Sequence, residues 1–230
     1  MTQEMIDTGT DHLLANLNEG VLTLTFNRPE ARNALSGDLL QALGTQLSDA
    51  EINPEVRCVV LTGRGNAFCA GGDVKAMSDV NAKGAASPLE TLIHRQRLNQ
   101  RSTSGRLNKI PKPTLAVIPG PAAGAGLSVA LACDLRIMSS TAFMTTAFAK
   151  VGFSGDYGGT LFMSQLVGTA KARELYFLSE RIGAEEAERL GLTNWVVAPE
   201  ELEERATEIA LKLASGPTVA FSYMKENLAR

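Results

Sequence analysis

Val56-Arg57-Cys58-Val59-Val60-Leu61-Thr62 runs directly into Gly63-Arg64-Gly65-Asn66-Ala67-Phe68-Cys69-Ala70-Gly71-Gly72-Asp73. Further on, Thr114-Leu115-Ala116-Val117-Ile118 leads into Gly120-Pro121-Ala122-Ala123-Gly124-Ala125-Gly126 and then into the small residues of 127–133. A short apolar run without alternation reads as a strand covered on both faces, as in parallel sheets whose crossovers are helices. Each such strand here ends in a Gly/Ala turn, so the chain reads as α/β with exposed backbone at its strand ends.

Working outward, residues 13–17 and 21–26 are β-rich runs joined by Asn18-Glu19-Gly20, an opening hairpin. Residues 34–47 repeat Leu at helical spacing and supply a helix between this hairpin and the strand at 56–62. The polar middle, 77–112, begins with the Gly/Ala/Ser-rich 81–87, read as a mobile loop before a helix over 89–107. A short strand is expected at 134–138. After Gly158-Gly159 the chain turns helical, over 160–167, 170–178, 184–190, 199–213 and 218–228, with one strand at 194–197. Two parts follow: an α/β core over 1–198 and a C-terminal helical segment over 199–230.

Composition narrows the function classes. With 44% hydrophobic and 20% charged residues the chain is a folded globular protein rather than a disordered or fibrous one. A net charge of −3, with Lys and Arg scattered, gives no electrostatic footprint for nucleic acid. Cys58, Cys69 and Cys133 are odd in number and lack CxxC spacing, so reduced thiols in a cytoplasmic protein are expected, without disulfides or zinc. The first residues lack a basic region followed by an apolar one, and no apolar run approaches the roughly 18 residues of a membrane span. No membrane partner is expected.

The two turns are where chemistry can sit. Glycine lets a ligand approach the backbone, and amide N–H groups at a helix start carry partial positive charge. Two converging turns can therefore cradle an oxyanion; tight strand–helix packing explains the same glycines equally well. Neither turn continues as GKS or GKT, and neither fits GxGxxG with its distant acid, so phosphate-loop and dinucleotide readings fail.

Several stretches occur together in one order: Asn27-Arg28-Pro29 with Asn33-Ala34-Leu35; Ala67-Phe68-Cys69-Ala70-Gly71-Gly72-Asp73-Val74-Lys75; Ile110-Pro111-Lys112-Pro113-Thr114 through Gly120; and Ala130-Leu131-Ala132-Cys133-Asp134-Leu135-Arg136. Gly158-Gly159-Thr160, Leu166-Val167-Gly168 and Ala184-Glu185-Glu186-Ala187-Glu188-Arg189-Leu190-Gly191-Leu192 continue the series. From about Asn16 onward the chain resembles the enoyl-CoA hydratase/isomerase family, the crotonase superfamily. The resemblance implies a crotonase-like spiral of ββα units, acting on an acyl-CoA thioester as a homotrimer or dimer of trimers. It puts the amides of Gly72 and Ala125 at the two oxyanion donors, and Ala70 and Gly71 beside the adenine of coenzyme A with the backbone near Arg32 and Ala34. Lys75 becomes either a phosphate contact or a solvated lysine.

Hydratases of the family place two glutamates around a water, at positions that fall here on Ser128 and Phe148. Neither replaces a glutamate, and Phe148 cannot titrate. The segment Val151-Gly152-Phe153-Ser154-Gly155-Asp156-Tyr157-Gly158-Gly159-Thr160 instead carries an acid where many hydratases have glycine. This resembles family isomerases, including epoxyphenylacetyl-CoA isomerases, in which an aspartate here acts on substrate. Asp156 is thus the candidate acid/base, with desolvation expected to raise its pKa; the alternative is a cap for the helix near Gly159. Tyr157 either donates a hydrogen bond or packs, and Ser128 either holds a water or bonds the carbonyl one turn back.

His94, near where family dehalogenases keep a working histidine, sits with Arg95 and Arg97 in what reads as an exposed helix face. His12 has no chemical company, and Asp73 and Asp134 read as structural caps. Family chains commonly continue beyond Arg230 with helices that cover the pocket, which leaves coenzyme A affinity and trimer packing open. No cofactor beyond the coenzyme A of the substrate is called for, and no metal ligand set is apparent. Thioester hydrolysis, single-carboxylate hydration and a noncatalytic CoA- or RNA-binding scaffold stay as alternatives, because a fold of this kind fixes the oxyanion hole rather than the reaction.

Overall fold

The computed structural model describes residues 4–73 and 88–229, so Lys75 and the loop expected over 81–87 lie outside the described residues. Three antiparallel strands, β1 (Glu4–Ile6), β2 (Leu13–Asn18) and β3 (Val21–Phe26), open the chain. Parallel pairing then runs from β3 through β4 (Cys58–Gly63), β5 (Thr114–Ile118), β7 (Leu135–Ser139) and β10 (Trp195–Val197). Three short strands, β6 (Ala122–Ala123), β8 (Phe143–Thr145) and β9 (Ile182–Gly183), make a second sheet. An isolated bridge from Cys69 to Ala122 ties the first turn to that second sheet, and one from Leu35 to Gly72 ties it to the segment before the first helix.

Strand alternation decides how the large sheet is covered. Val59, Leu61, Ala116 and Ile118 enter one core, while Cys58, Val60, Leu115 and Val117 enter the other. The first core holds α1 (Gly37–Ile52), α4 (Ala125–Leu131) and the second sheet. On the opposite face, α7 (Leu202–Ser215) buries Leu202, Ala206, Ile209, Ala210 and Ala214 against the sheet. The remaining helices are α2 (Leu89–Ser102), α3 (Ser104–Lys109), α5 (Gly159–Leu178), α6 (Ala184–Arg189) and α8 (Thr218–Leu228). Lys225 on α8 donates to Asp134 Oδ2 at 2.8 Å, fixing that helix to the start of β7. All three cysteines are buried and free.

Several elements differ from the sequence reading. The first helix begins at Gly37 rather than Ala34, because Ser36 caps it by accepting from the Leu39 N–H at 3.2 Å. Asn33 before it takes φ 57 and Leu35 pairs with Gly72. The helix expected over 89–107 breaks at Thr103, whose hydroxyl bonds the Asn99 carbonyl at 2.6 Å. Strands β1 and β8 were not legible, since three residues give too little alternation to read. The gap expected between 167 and 170 is a kink at Gly168, φ 77 and ψ 160, inside α5.

Candidate functional site

The turns after β4 and β5 are sewn together by backbone. Phe68 and Cys69 donate to the Pro121 carbonyl at 3.1 and 3.2 Å, and Ala123 donates to Cys69 O at 2.9 Å. Ala70 donates to Arg32 O at 2.9 Å, and Gly71 O receives the Leu35 N–H at 2.8 Å. Gly126 is held so closely that a Cβ there would lie 2.4 Å from Cys69 O and 2.7 Å from its Sγ. Asn33, fully buried, bolts the assembly: its Nδ2 donates to Arg64 O at 3.0 Å and Ala67 O at 2.8 Å, and its Oδ1 receives the Arg28 N–H at 2.9 Å.

Two amides stay outside this stitching. Ala125 is the first residue of α4, so its N–H has no carbonyl one turn earlier in the helix to bond. Among the described residues, no backbone carbonyl outside regular elements receives the Gly72 N–H either. At the rim, Arg32 and Ala70 are exposed, whereas Ala34 and Gly71 are buried. Arg28 Nη1 bonds Ala34 O at 2.7 Å and Asp73 Oδ2 at 2.9 Å, so Asp73 serves as an ion-pair partner here.

The acid lies on the loop that leads into α5. A Cβ on Gly159 would lie 2.1 Å from Ser128 Oγ and 2.6 Å from Tyr176 Oη, which puts this loop directly on the first turns of α4. Asp156 Oδ2 accepts from Gln96 Nε2 of α2 at 3.2 Å, while Oδ1 is buried without a hydrogen-bond partner among the described residues. Burial pushes the carboxyl up to about 6, and the Gln96 bond works against the rise. The side chain caps no helix: the N-cap of α5 is Gly158, with no side-chain bond, and the Gly159 N–H goes to the Asp156 backbone carbonyl.

Around Asp156, Phe148 is buried and its ring stacks on Tyr176, centroids 5.9 Å apart and planes 5° from parallel. Ser128 is buried and bonds Gly124 O one turn back at 3.2 Å, and its hydroxyl and that of Tyr176 both face the backbone of Gly159. Burial pushes the Tyr176 hydroxyl up to about 12, with Ser128 opposing and the Asp156 charge adding. Tyr157 is 3% exposed at φ 51; its ring packs in the first core, and burial, then Asp156 and Cys69, raise its hydroxyl. Arg97, Gln100, Tyr157, Gly158 and Phe162 help line a cavity of about 240 Å³ that takes in the two residues after Asp156.

Gln96 and Tyr176 were not singled out from the sequence. Gln96 stands 60 residues from the acid it touches, and no local pattern announces such a pair. His94 is exposed, and His12, far from the acid loop, bonds Ser36 Oγ at 2.8 Å. Asp134 Oδ2 receives the Thr114 N–H and hydroxyl, each at 2.8 Å, as a tie between strands. A larger cavity, about 630 Å³, lies on the other face of the sheet against α7. Among the described residues, no three His, Cys, Asp or Glu side chains gather into a group able to hold a metal ion, and no helix is long and apolar enough to cross a membrane.

Comparison with known proteins places this geometry. A family profile described as enoyl-CoA hydratase/isomerase matches residues 16–230. A 1,2-epoxyphenylacetyl-CoA isomerase of Escherichia coli is 35% identical over 94% of this chain and 81% of its own length. A short-chain-enoyl-CoA hydratase of Clostridium acetobutylicum is 37% identical over 91% of this chain and 78% of its own. The crystal structure of an enoyl-CoA hydratase from Polaromonas sp. JS666 superimposes with a TM-score of 0.86 at 34% identity, covering 94% of this chain and 82% of that one.

Proposed function

Because this chain belongs to the enoyl-CoA hydratase/isomerase family and has its crotonase fold, we propose that it moves a double bond within an acyl-CoA thioester, with Asp156 as proton carrier. The observation that carries the proposal is the Asp156 carboxylate, half-buried, with one oxygen unpartnered among the described residues and the group poised at about 6. A base with that pKa is mostly ionised at neutral pH, yet returns a proton readily.

In this reading the amides of Gly72 and Ala125 donate to the thioester oxygen and stabilise the enolate as charge builds there. Asp156 removes a proton from the carbon at one end of the three-carbon unit, forming a dienolate. The carboxyl proton exchanges with solvent while the dienolate is bound, and Asp156 then delivers a proton to the other end, so the double bond shifts with one proton removed and one returned. Such a reaction needs no group beyond the coenzyme A of the substrate. The Ser128 and Phe148 positions, which lack carboxylates, disfavour a two-acid hydration. Ser128, Phe148 and Tyr157 then wall the acyl group, while Arg32, Ala34, Ala70 and Gly71 lie along the adenine side and Lys75 meets a phosphate.

Exposed Phe177 and Leu178 at the end of α5, with Val219, Tyr223, Met224 and Leu228 on α8, favour burial between copies in a homotrimer or dimer of trimers. Three buried free thiols suit a reducing compartment such as the cytoplasm.

Solvent-deuterium incorporation at the α and γ carbons of 3-enoyl- and 2-enoyl-CoA, followed by NMR, tests the assignment. Label entry and double-bond migration are expected in the wild type and should vanish in Asp156→Asn. Equal formation of 3-hydroxyacyl-CoA by both proteins would overturn the role of Asp156.

A further inference from the structure

The face of α2 that reaches Asp156 does not stop there. Gln100 follows Gln96 by four residues, and Arg101 follows Arg97 by four, so each pair shares one side of the helix about 6 Å further along its axis. Arg97, Gln100, Arg101 and Ser104 line the cavity of about 240 Å³ together with Tyr157 and Phe162. Tyr157 immediately follows Asp156 in the chain, so the cavity opens within about a helical turn of the Gln96–Asp156 contact.

Both arginines are exposed, and among the described residues neither makes an ion pair with a carboxylate. A purely aliphatic acyl tail would gain nothing from two guanidinium groups and two further polar side chains. The cavity is smaller than the roughly 300–1,000 Å³ of sites that hold a whole drug-sized ligand, which fits the end of a short chain. Two aromatic side chains, Phe162 and Tyr157, lining the same cavity as planar, fork-shaped donors suit a group that is flat, anionic and short.

The geometry points to an acyl group that ends in a carboxylate, a short ω-carboxyacyl-CoA whose tail is held by Arg97 and Arg101. This rests on the proposed acyl-CoA reaction and adds the substrate class to it. The carboxylate lies against the two guanidinium groups, the Gln100 amide supplies a further donor, and the reacting carbons are left toward Asp156.

Binding separates this inference from the reaction it rests on. Saturated acyl-CoA thioesters of matched length, one ending in methyl and one in carboxylate, have no double bond to move and report recognition alone. Calorimetry with the wild type is expected to show the carboxylate-ended thioester bound about tenfold more tightly, a difference of about 1.4 kcal/mol. The preference should shrink in Arg97→Met and in Arg101→Met, which keep the aliphatic stem and lose the fork, and should weaken as salt is added. Equal binding of the two thioesters by the wild type, or a preference that survives both substitutions, overturns the inference. Deuterium exchange on unsaturated thioesters is read separately: its failure with the binding preference intact would remove the proposed reaction and leave the ω-carboxylate site standing.

Discussion

The paired turns and the acid loop lie against each other, yet they use their polar groups in opposite ways. In the turns and the segment before α1, Asn33 bonds Arg28, Arg64 and Ala67, Ala70 bonds Arg32, Gly71 bonds Leu35 and Ala123 bonds Cys69, and Gly126 admits no extra atom. In the loop, Asp156 has one oxygen on Gln96 and the other buried with no partner among the described residues. Buried polar groups are normally satisfied, so the turns are braced by their backbone ties with the Gly72 and Ala125 amides left outside them, whereas the Asp156 oxygen without a partner among the described residues is buried at a cost in stability. The two regions should therefore fail differently when altered.

The largest expected effect is on the loop. Asp156→Asn should lower the rate of double-bond migration by roughly 10²–10⁴-fold, the usual contribution of a positioned acid/base, with far-ultraviolet circular dichroism unchanged. A protein that keeps its rate would dissolve the contrast. On the scaffold side, Gly126→Ala forces a methyl into Cys69 and should cost about 1–3 kcal/mol in urea unfolding, from overpacking. Asn33→Ala leaves the Arg64 and Ala67 carbonyls without their amide donor and should cost about as much, roughly 1–3 kcal/mol.

Smaller effects sharpen the comparison through pH. If ionised Asp156 is the base, kcat/KM should rise as pH climbs through about 6. Gln96→Leu removes the bond that holds this carboxyl down, so the rising limb should move to higher pH, by up to about one unit. Stability should show the opposite sign. An aspartate in the unfolded chain titrates near 3.9, and in the fold this one is raised to about 6. Between those values the folded state keeps a proton that the unfolded chain has released, so wild-type stability falls as pH rises through the window. Asp156→Asn has no such charge to bury. Its melting temperature should exceed that of the wild type by more at pH 8 than at pH 4, and an equal margin at both would show that the carboxyl is not desolvated.

Much of the scaffold could be read before any coordinates. Residues 114–118 and 218–228 were assigned with the bounds observed, because an unbroken apolar run between prolines and glycines, or a helical pattern after Pro217, has few other outcomes. The start of α1 was placed three residues early, since leucine spacing carries into Asn33-Ala34-Leu35 although that segment is held by Asn33 and by pairing with Gly72. In the site, Asp156 was legible through the family resemblance, as an acid where many of the family's hydratases have glycine. Gln96, Tyr176 and the arginine-lined cavity were not, because each depends on α2 or α5 crossing the loop.

Sequence by itself determined the α/β class and the two Gly/Ala turns, which are local or follow from residue type, while the resemblance to the family pointed to Ser128 and Phe148 in place of two glutamates and to Asp156 as the candidate acid. Only the tertiary structure decided that Asp156 caps nothing, that its carboxyl sits near 6, and that Arg97 and Arg101 border a cavity beside it. The physical reason is that burial and charge environment are sums over neighbours distant in the chain, and a sequence fixes those neighbours only once the helices have packed.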